Sequence, residues 1–599
     1  MMQPQHSRAV RPIAWATLAL FLSCRASPPL APSPLAKAPL SPLRLTLVGT
    51  NDLHGWVLEQ RDGELEFGGL ALLSSYLEVL RAENPGGVVL VDAGDLFQGT
   101  LVSNLSEGAV VIDALNRLGY DAASIGNHEF DYGPVGPAPS ATDPSMDPFG
   151  ALKARIAQAH FPLLSGNIYE KETGLRPSWL TGDGSVIVER HGVKVGLFGL
   201  TTPQTPTTTL PINVASLRFG SLAPEAMAAA QRLRDQGADV VVAVVHAGGR
   251  CRDCLHPHDL SSCDLDTSEV FEMLRTIPEG TVDAVVAGHT HARIGHFVNG
   301  AAVIESWALG RAFGVIELSI DPATKKVLAD QTRIQSGIEV CETVDPASKS
   351  CDPKAVQATT ATEPATFHGH VMRPDPALVA QLQPAIDAVA SKQNLVLGVE
   401  VPRGLGRDYE AESALGSFLA DSLRAMTKAD VALLNPGGLR ADLKQGPLTY
   451  GRVYEVMPFD NQLATLDLSG EQLKRVLVAA YGSHKGVFQV SGVEVKLDRC
   501  PTPDRLKSVV LSNGRAVEPR GRYRVVMPDF LARGGDGLAP ALTTVEKERL
   551  DLGDRRAANL RDELVQYWQA KKEPIVPPRP GRVGFVEPVV PCATGQRSP

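Results

Sequence analysis

No basic run occurs anywhere in this sequence, whose formal net charge is −9. Without a positive surface, a protein cannot draw on the counterion release that drives binding to a phosphate polymer, so nucleic-acid polymers are excluded as partners. A small phosphorylated ligand is not excluded, because a metal pair and a few local arginines override a mildly negative average. After residue 22 no stretch is apolar enough to cross a bilayer, which takes about 20 residues. No internal repeat relates the two halves. Cysteines are few, eight in 599 residues. The chain is too long for one hydrophobic core, which leaves two large domains as the default.

The N-terminus reads as an export signal. Arg8 and Arg11 form a basic start, and Ile13 to Leu22 form an apolar run too short to span a bilayer. Ser23-Cys24 then offers a cleavage point that resembles a bacterial lipoprotein signal, with Phe21 where such signals usually carry Leu. Lipid attachment through Cys24 and simple secretion both follow from this pattern, and either puts the protein in the periplasm or at the cell surface. Pro28, Pro29, Pro32, Pro34, Pro39 and Pro42 make the next segment an extended, semi-rigid tether.

Export permits disulfides. Cys341 and Cys351 are the best pair, Cys251, Cys254 and Cys263 crowd one loop, and Cys500 with Cys592 can tie the C-terminal region together. Cys251-x-x-Cys254 followed by His256 and His258 is also a zinc pattern. In an exported protein a disulfide-pinned loop is the stronger reading.

From Leu43 to about Ile320, short apolar runs alternate with amphipathic stretches, which argues for an α/β domain with helices packed over sheets. Strands are predicted at 43–48, 88–92, 121–125, 193–199, 239–245, 282–287 and 301–306. Helices are predicted at 69–83, 107–118, 149–159, 222–236 and 268–275. Residues 341–392 read as a linker and connecting helix, 393–586 as a second domain and 587–599 as a tail. The signal covers 1–24, the tether 25–42 and the first domain 43–340.

Polar clusters stand just past the predicted strands: Asn51-Asp52-Leu53-His54, Gly94-Asp95, Gly126-Asn127-His128-Glu129-Phe130-Asp131, Val245-His246 and Gly288-His289-Thr290-His291. In α/β sheets, active groups gather at strand C-termini. Asp52 with His54, and His289 with His291, are spaced two apart, which puts each pair on one face if the strand continues. The inventory Asp52, His54, Asp95, Asn127, His246, His289 and His291 suits a dinuclear hydrolase, in which two cations activate water and clamp an in-line displacement.

In this order, with Thr50, Gly55, Asp92 and Ala93 completing the motifs, the set resembles the 5′-nucleotidase family of calcineurin-like metallophosphoesterases over residues 43–586. The resemblance implies a four-layer β-sandwich flanked by helices, then an α/β nucleotide-binding domain joined by a linker helix. It implies two divalent cations (Zn, Mn or Co). Asp52, His54, Asp95 and His291 would hold one, and Asp95, Asn127, His246 and His289 the other, with Asp95 bridging. His128 with Asp131 resembles the family's catalytic dyad. An imidazolium held by a carboxylate suits the charge that phosphoryl transfer places on nonbridging and leaving oxygens.

Three clusters in the second half carry the same resemblance: Asn435-Pro436-Gly437-Gly438-Leu439-Arg440, Met457-Pro458-Phe459-Asp460-Asn461, and the segment from Asp529 to Gly537. Glycine lets backbone approach a ligand, and Arg matches phosphate through its planar fork. The resemblance gives Asn435 and Arg440 to the nucleotide, Phe459 and Phe530 to the two faces of its base, and Asp536 to its ribose. One departure stands out. The family often places an arginine shortly before the Glu that opens the first C-terminal helix, and here Arg407 lies further from Glu412.

The implied activity is hydrolysis of nucleoside 5′-monophosphates. UDP-sugar hydrolysis and 2′,3′-cyclic-nucleotide phosphodiesterase activity use the same site chemistry, and a thiosulfate-pathway hydrolase is a more distant option. A non-catalytic surface binding protein is the rival of another class. Its mark would be a lost ligand, and none is lost. The resemblance also implies rotation between the domains, with residues 376–392 as hinge.

Overall fold

Continuous apolar runs such as Val240–His246 are buried at every position, which is the pattern of a parallel strand covered on both faces. The computed structural model describes residues 41–356, 361–482, 485–499, 505–552 and 558–586. The expectations for the signal segment, for lipidation at Cys24, for a Cys500–Cys592 pair and for the tail lie outside the described residues.

Two six-stranded sheets form the first half. One runs Arg333–Glu339, Ala312–Ile320, Leu43–Thr50, Val88–Asp92, Ala122–Ser124 and Leu163–Leu164. The other runs Arg293–Val298, Ala301–Ser306, Ala284–Ala287, Val240–His246, Val193–Thr201 and Ser185–Arg190. The central strands of both sheets are parallel.

Strand alternation explains the layering. Leu45, Leu47, Val89 and Val91 share one buried cluster with Val195, Leu197, Val242 and Val244, sheet against sheet. Their neighbours Val48 and Leu90 turn instead to the helices Leu70–Glu83 and Ala109–Leu118. Val241, Ala243 and Val245 turn to Leu222–Asp235 and Glu269–Thr276. The result is helix, sheet, sheet, helix: the four layers implied by the resemblance.

The stretch 341–371 is weakly patterned, yet it forms short paired strands and carries the Cys341–Cys351 disulfide. Tyr76 pins it to the first half, donating from its hydroxyl to Cys341 O at 2.9 Å and accepting from Cys341 N at 3.0 Å. The helix Pro376–Gln393 starts on an Asp375 side-chain cap. Its residues Leu378, Leu382 and Val389 join a cluster that takes in residues of both halves, among them Leu70 and Leu423.

The second half is built on a five-stranded sheet in the order Gln489–Ser491, Val431–Leu434, Arg522–Pro528, Leu463–Ser469 and Leu550–Asp551. Ala432 and Leu434 face the helix Ala414–Thr427 side, while Val431 and Leu433 face the Gly470–Gly482 side. This burial on both faces leaves Asn435, at the strand end, as the first residue free for chemistry.

Candidate active site

The strand Leu43–Thr50 stops before its polar cluster, and the chain turns sharply. Asp52 and His54 have φ of 52° and 48°, Asp95 57°, His289 80° and His291 53°. Five of the seven expected ligands thus occupy the left-handed region, which non-glycine residues enter rarely and at a cost of about 1–3 kcal/mol each. The i, i+2 pairs do share a site, but a turn rather than a continuing strand brings each pair together.

Several bonds hold this strain. Asp52 N donates to Gly94 O, His54 N to Asp95 O and Gly55 N to Leu96 O, each at 2.9 Å, so the two loops brace each other. The buried Glu129 carboxylate accepts from the N–H of Asp95 (2.9 Å), Leu96 (2.7 Å) and Gly126 (2.6 Å). Gly126 has to be glycine, because an added Cβ would meet Asp95 Oδ1 at 2.2 Å. Glu305 holds the other rim, accepting from Thr290 Oγ1 at 2.7 Å and Ala292 N at 3.0 Å. Sequence reasoning assigned no role to Glu129 or Glu305. The available signal was a lone acid inside the otherwise apolar run Ala301–Ser306.

Ring tautomers follow from the backbone. His54 Nδ1 donates to Gln98 O at 2.8 Å, and His246 Nδ1 donates to Ala93 O at 2.9 Å. Each therefore aims an Nε2 lone pair inward. Asn127 Nδ2 donates to Thr208 O at 3.3 Å, which aims its Oδ1 inward as well. His246 Nε2 then faces Asn127 Oδ1 at 2.9 Å and Asp95 Oδ2 at 3.2 Å. Ligand atoms of Asp95, His246 and His289 lie within 4.8 Å of one another, and so do those of Asp52, His54 and His291. His54 Nε2 lies 3.0 Å from His291 Nε2 and 3.7 Å from Asp95 Oδ2, so Asp95 faces both groups.

Lone pairs converging on lone pairs repel unless a cation sits among them, and outward N–H groups anchored on carbonyls are the support that metal-ligating imidazoles use. Protons compete with a metal for these same lone pairs. Burial disfavours charge on His246, but Asp95 outweighs it and pushes the imidazole up to about 10. Burial, then His246, holds His289 well below its ordinary value. The donor set of imidazole, carboxylate and amide oxygen fits a divalent transition metal.

His128 opens a short 3₁₀ turn, His128–Phe130. Its Nδ1 meets Asp131 Oδ2 at 2.5 Å, and its backbone N donates to Asp95 Oδ1 at 2.8 Å. The other oxygen of Asp131 accepts from the Thr209 hydroxyl. Burial lowers the His128 imidazole, but Asp131 and Asp95 raise it further, and the net shift is upward.

The C-terminal residues face this cluster. Arg440 Nη2 lies 2.8 Å from His54 Nε2, and the guanidinium sits 5.7 Å from the centroid of the Phe459 ring. Phe459 in turn stands 5.3 Å from the His128 ring. Asn435 Nδ2 donates to Asp536 Oδ2 at 2.8 Å. Burial pushes Asp536 up to about 6 against the pull of Lys485. Phe530 is more buried than Phe459 and packs on Gly535, where an added Cβ would meet the ring at 2.4 Å.

Asp95, Asn127, His128, Asp131, His289 and His291 line one cleft of about 1890 Å³ together with Asn435, Arg440, Phe459, Phe530 and Asp536. Asp52, His54 and His246 lie buried behind its wall. Arg407 also lines this cleft, with Nη1 donating to Leu439 O at 3.2 Å. Lys485, which sequence reasoning did not single out, reaches Gln204 from the opposite rim.

The disulfide Cys251–Cys263 pins the loop at the cleft mouth and leaves Cys254 as a free thiol. With Cys251 so used, the Cys251-x-x-Cys254 zinc pattern loses one of its two sulfurs and lapses. His258 stacks on Phe297 at 4.6 Å instead.

Residues 45–293 match the calcineurin-like phosphoesterase family, and 393–544 match the 5′-nucleotidase C-terminal domain family. The 5′-nucleotidase of Vibrio parahaemolyticus is 25% identical over 525 residues, covering 82% of this chain and 84% of that protein. Endonuclease YhcR of Bacillus subtilis is 24% identical over 574 residues, covering 92% of this chain, and the chain spans 42% of its length. The crystal structure of the 5′-nucleotidase precursor of Thermus thermophilus has a TM-score of 0.72 at 23% identity, covering 91% of this chain and 99% of that one.

Proposed function

The chain belongs to the 5′-nucleotidase family of calcineurin-like metallophosphoesterases, metal-dependent phosphoester hydrolases, and from that premise we propose that it is an exported enzyme releasing phosphate from nucleoside 5′-monophosphates. The observation that carries this reading is the meeting of Arg440 and Phe459 with His54 and His128 in one cleft. A phosphate reader and an aromatic face thus border the same centre as the metal-ligand set.

In this proposal Asp52, His54 and His291 hold one divalent cation, Asn127, His246 and His289 a second, and Asp95 both. Bound there, the pair supplies an activated water and charge neutralisation for in-line displacement. The protein's own groups do the rest. Arg440 binds a nonbridging phosphate oxygen through its fork. His128 keeps a proton on the ring nitrogen that faces the reaction, because Asp131 holds Nδ1, and it stabilises the leaving oxygen or protonates it. Phe459 and Phe530 stack the base, a contact worth about 1–3 kcal/mol that tolerates different bases. Asn435 and Asp536 meet the ribose.

Export rests on the N-terminal pattern from Arg8 to Cys24, with lipid attachment at Cys24 as its further step. Among the described residues no helix is long and apolar enough to cross a membrane.

The test is a substrate panel of AMP, UDP-glucose and 2′,3′-cyclic AMP with Mn²⁺, Zn²⁺ or Co²⁺. The reading expects AMP to be turned over most efficiently and EDTA to abolish it. Undiminished turnover in excess EDTA, or no turnover of AMP with any of the metals, overturns it.

A further inference from the structure

The base-stacking ring Phe459 sits on a connecting loop between the helix Tyr450–Val456 and the strand Leu463–Ser469. Loops are the less exact place to mount a binding group, so something has to hold this one. The first turn of the helix Leu560–Lys571 carries Arg561, a charged residue only 3% exposed. A guanidinium so buried is costly unless its donors are met, and these are met largely by the loop. Nη1 donates to Met457 O at 2.9 Å and Phe459 O at 3.4 Å, and Nη2 donates to Asp460 Oδ1 at 2.6 Å. The remaining Nε donates to Tyr450 OH at 3.4 Å, and the guanidinium carbon lies 4.1 Å from the Tyr454 ring centroid. The same helix start adds Leu560 N to Asn461 O at 2.8 Å and Asn559 Nδ2 to Asp460 Oδ1 at 3.0 Å.

We infer that Arg561 is a positioning residue: it grips the 457–461 backbone by its carbonyls, so that the half-buried Phe459 ring is held over His128 and Arg440, ready to receive a base. The guanidinium fork spans two carbonyls and a carboxylate at once, which a lysine ammonium cannot reproduce. This rests on the nucleotide reading above for what Phe459 binds, but not for what Arg561 holds.

The experiment uses the full-length, metal-loaded protein and the variants Arg561→Met, Arg561→Lys and Phe459→Ala. Adenosine binding is measured by calorimetry, and kinetics use AMP and p-nitrophenyl phosphate. Arg561→Met is expected to weaken adenosine binding and raise KM for AMP about tenfold, with kcat changed by less than about threefold. Arg561→Lys, the milder variant should Arg561→Met not fold, is expected to lie between. In the Phe459→Ala background, Arg561→Met is expected to cost less than about twofold more, because a residue acting through another adds nothing once that partner is gone. Where Phe459→Ala itself weakens adenosine binding, equal losses from Arg561→Met in both backgrounds, or no loss in either, overturn the inference. Amide exchange supplies the independent readout: peptides covering 457–461 exchange faster in Arg561→Met. If Phe459→Ala leaves adenosine binding intact while this exchange still rises, the nucleotide reading fails and the positioning role stands. If exchange is unchanged, the positioning role fails.

Discussion

Arg440 Nη2 stands 2.8 Å from His54 Nε2, a contact between residues 386 positions apart. His54 Nδ1 is committed to the Gln98 carbonyl, so the guanidinium is donating to the lone pair that a metal would use. The segment proposed to read phosphate therefore already touches the proposed metal-ligand set in this arrangement. Truncating an arginine that pairs with a bound anion removes about 2–5 kcal/mol. Arg440→Ala is accordingly expected to lower kcat/KM for AMP at least about thirtyfold, with Arg440→Lys losing less and metal content unchanged in both. Steady-state kinetics with elemental analysis checks this.

His128 is not among the converging lone pairs, although its neighbour Asn127 is. Its Nδ1 is bound to Asp131 and its backbone N–H to Asp95. His128→Asn is expected to lower kcat by about 10²–10⁴ while the protein keeps its full metal complement. Loss of metal in this variant would reassign His128 to ligation.

The two phenylalanines differ in setting. Phe459 is half-buried beside His128, whereas Phe530 is 9% exposed and packs within the C-terminal core. Phe459→Ala is expected to raise KM for AMP by about tenfold or more and to leave p-nitrophenyl phosphate little affected. Phe530→Ala is expected to weaken nucleotide binding and also to lower thermal stability, as large-to-small core changes do. Equal losses on AMP and p-nitrophenyl phosphate would make either ring structural.

Asp536, the proposed ribose contact, would give nucleoside binding a pH dependence. Burial pushes its carboxyl up to about 6, so it is ionised above that pH and neutral below it. A neutral carboxyl accepts a ribose hydroxyl less well, and adenosine binding is expected to weaken as pH falls through about 6. Asp536→Asn is expected to bind weakly at all pH values with no such transition. The linked stability term has the opposite sense. A carboxyl raised above its unfolded value of 3.8 stabilises the folded state below that value and loses this contribution as pH rises through about 6. Calorimetric titrations spanning that midpoint resolve the binding effect.

Much of this was legible in the sequence because buried parallel strands announce themselves. The runs 88–92 and 239–245 reappear as Val88–Asp92 and Val240–His246, and their ends locate Asp95 and His246. The strands Ser185–Arg190 and Arg333–Glu339 were not read, because they are sheet-edge strands whose residues are mostly half-exposed, with at most three consecutive apolar residues. Nor did the sequence convey how the ligand pairs meet. Spacing two apart suggested an extended strand, whereas positive φ at Asp52, His54, His289 and His291 makes turns of them, a property with no periodic signature. Glu129, Glu305 and Arg561 escaped for a related reason: each acts on backbone groups distant in sequence or outside its own element, and only the fold reveals those partners.

The claim at the centre of this account is that Asp95 serves two cation sites at once, since its Oδ2 faces His246 at 3.2 Å and His54 at 3.7 Å. The measurement is metal content per chain, by elemental analysis after gel filtration, for the native protein and Asp95→Ala. The account predicts about two divalent ions per chain in the native protein and fewer than about one in Asp95→Ala, with AMP hydrolysis lost. An Asp95→Ala protein that still carries two ions per chain, or a fully active native protein that carries none, would contradict it.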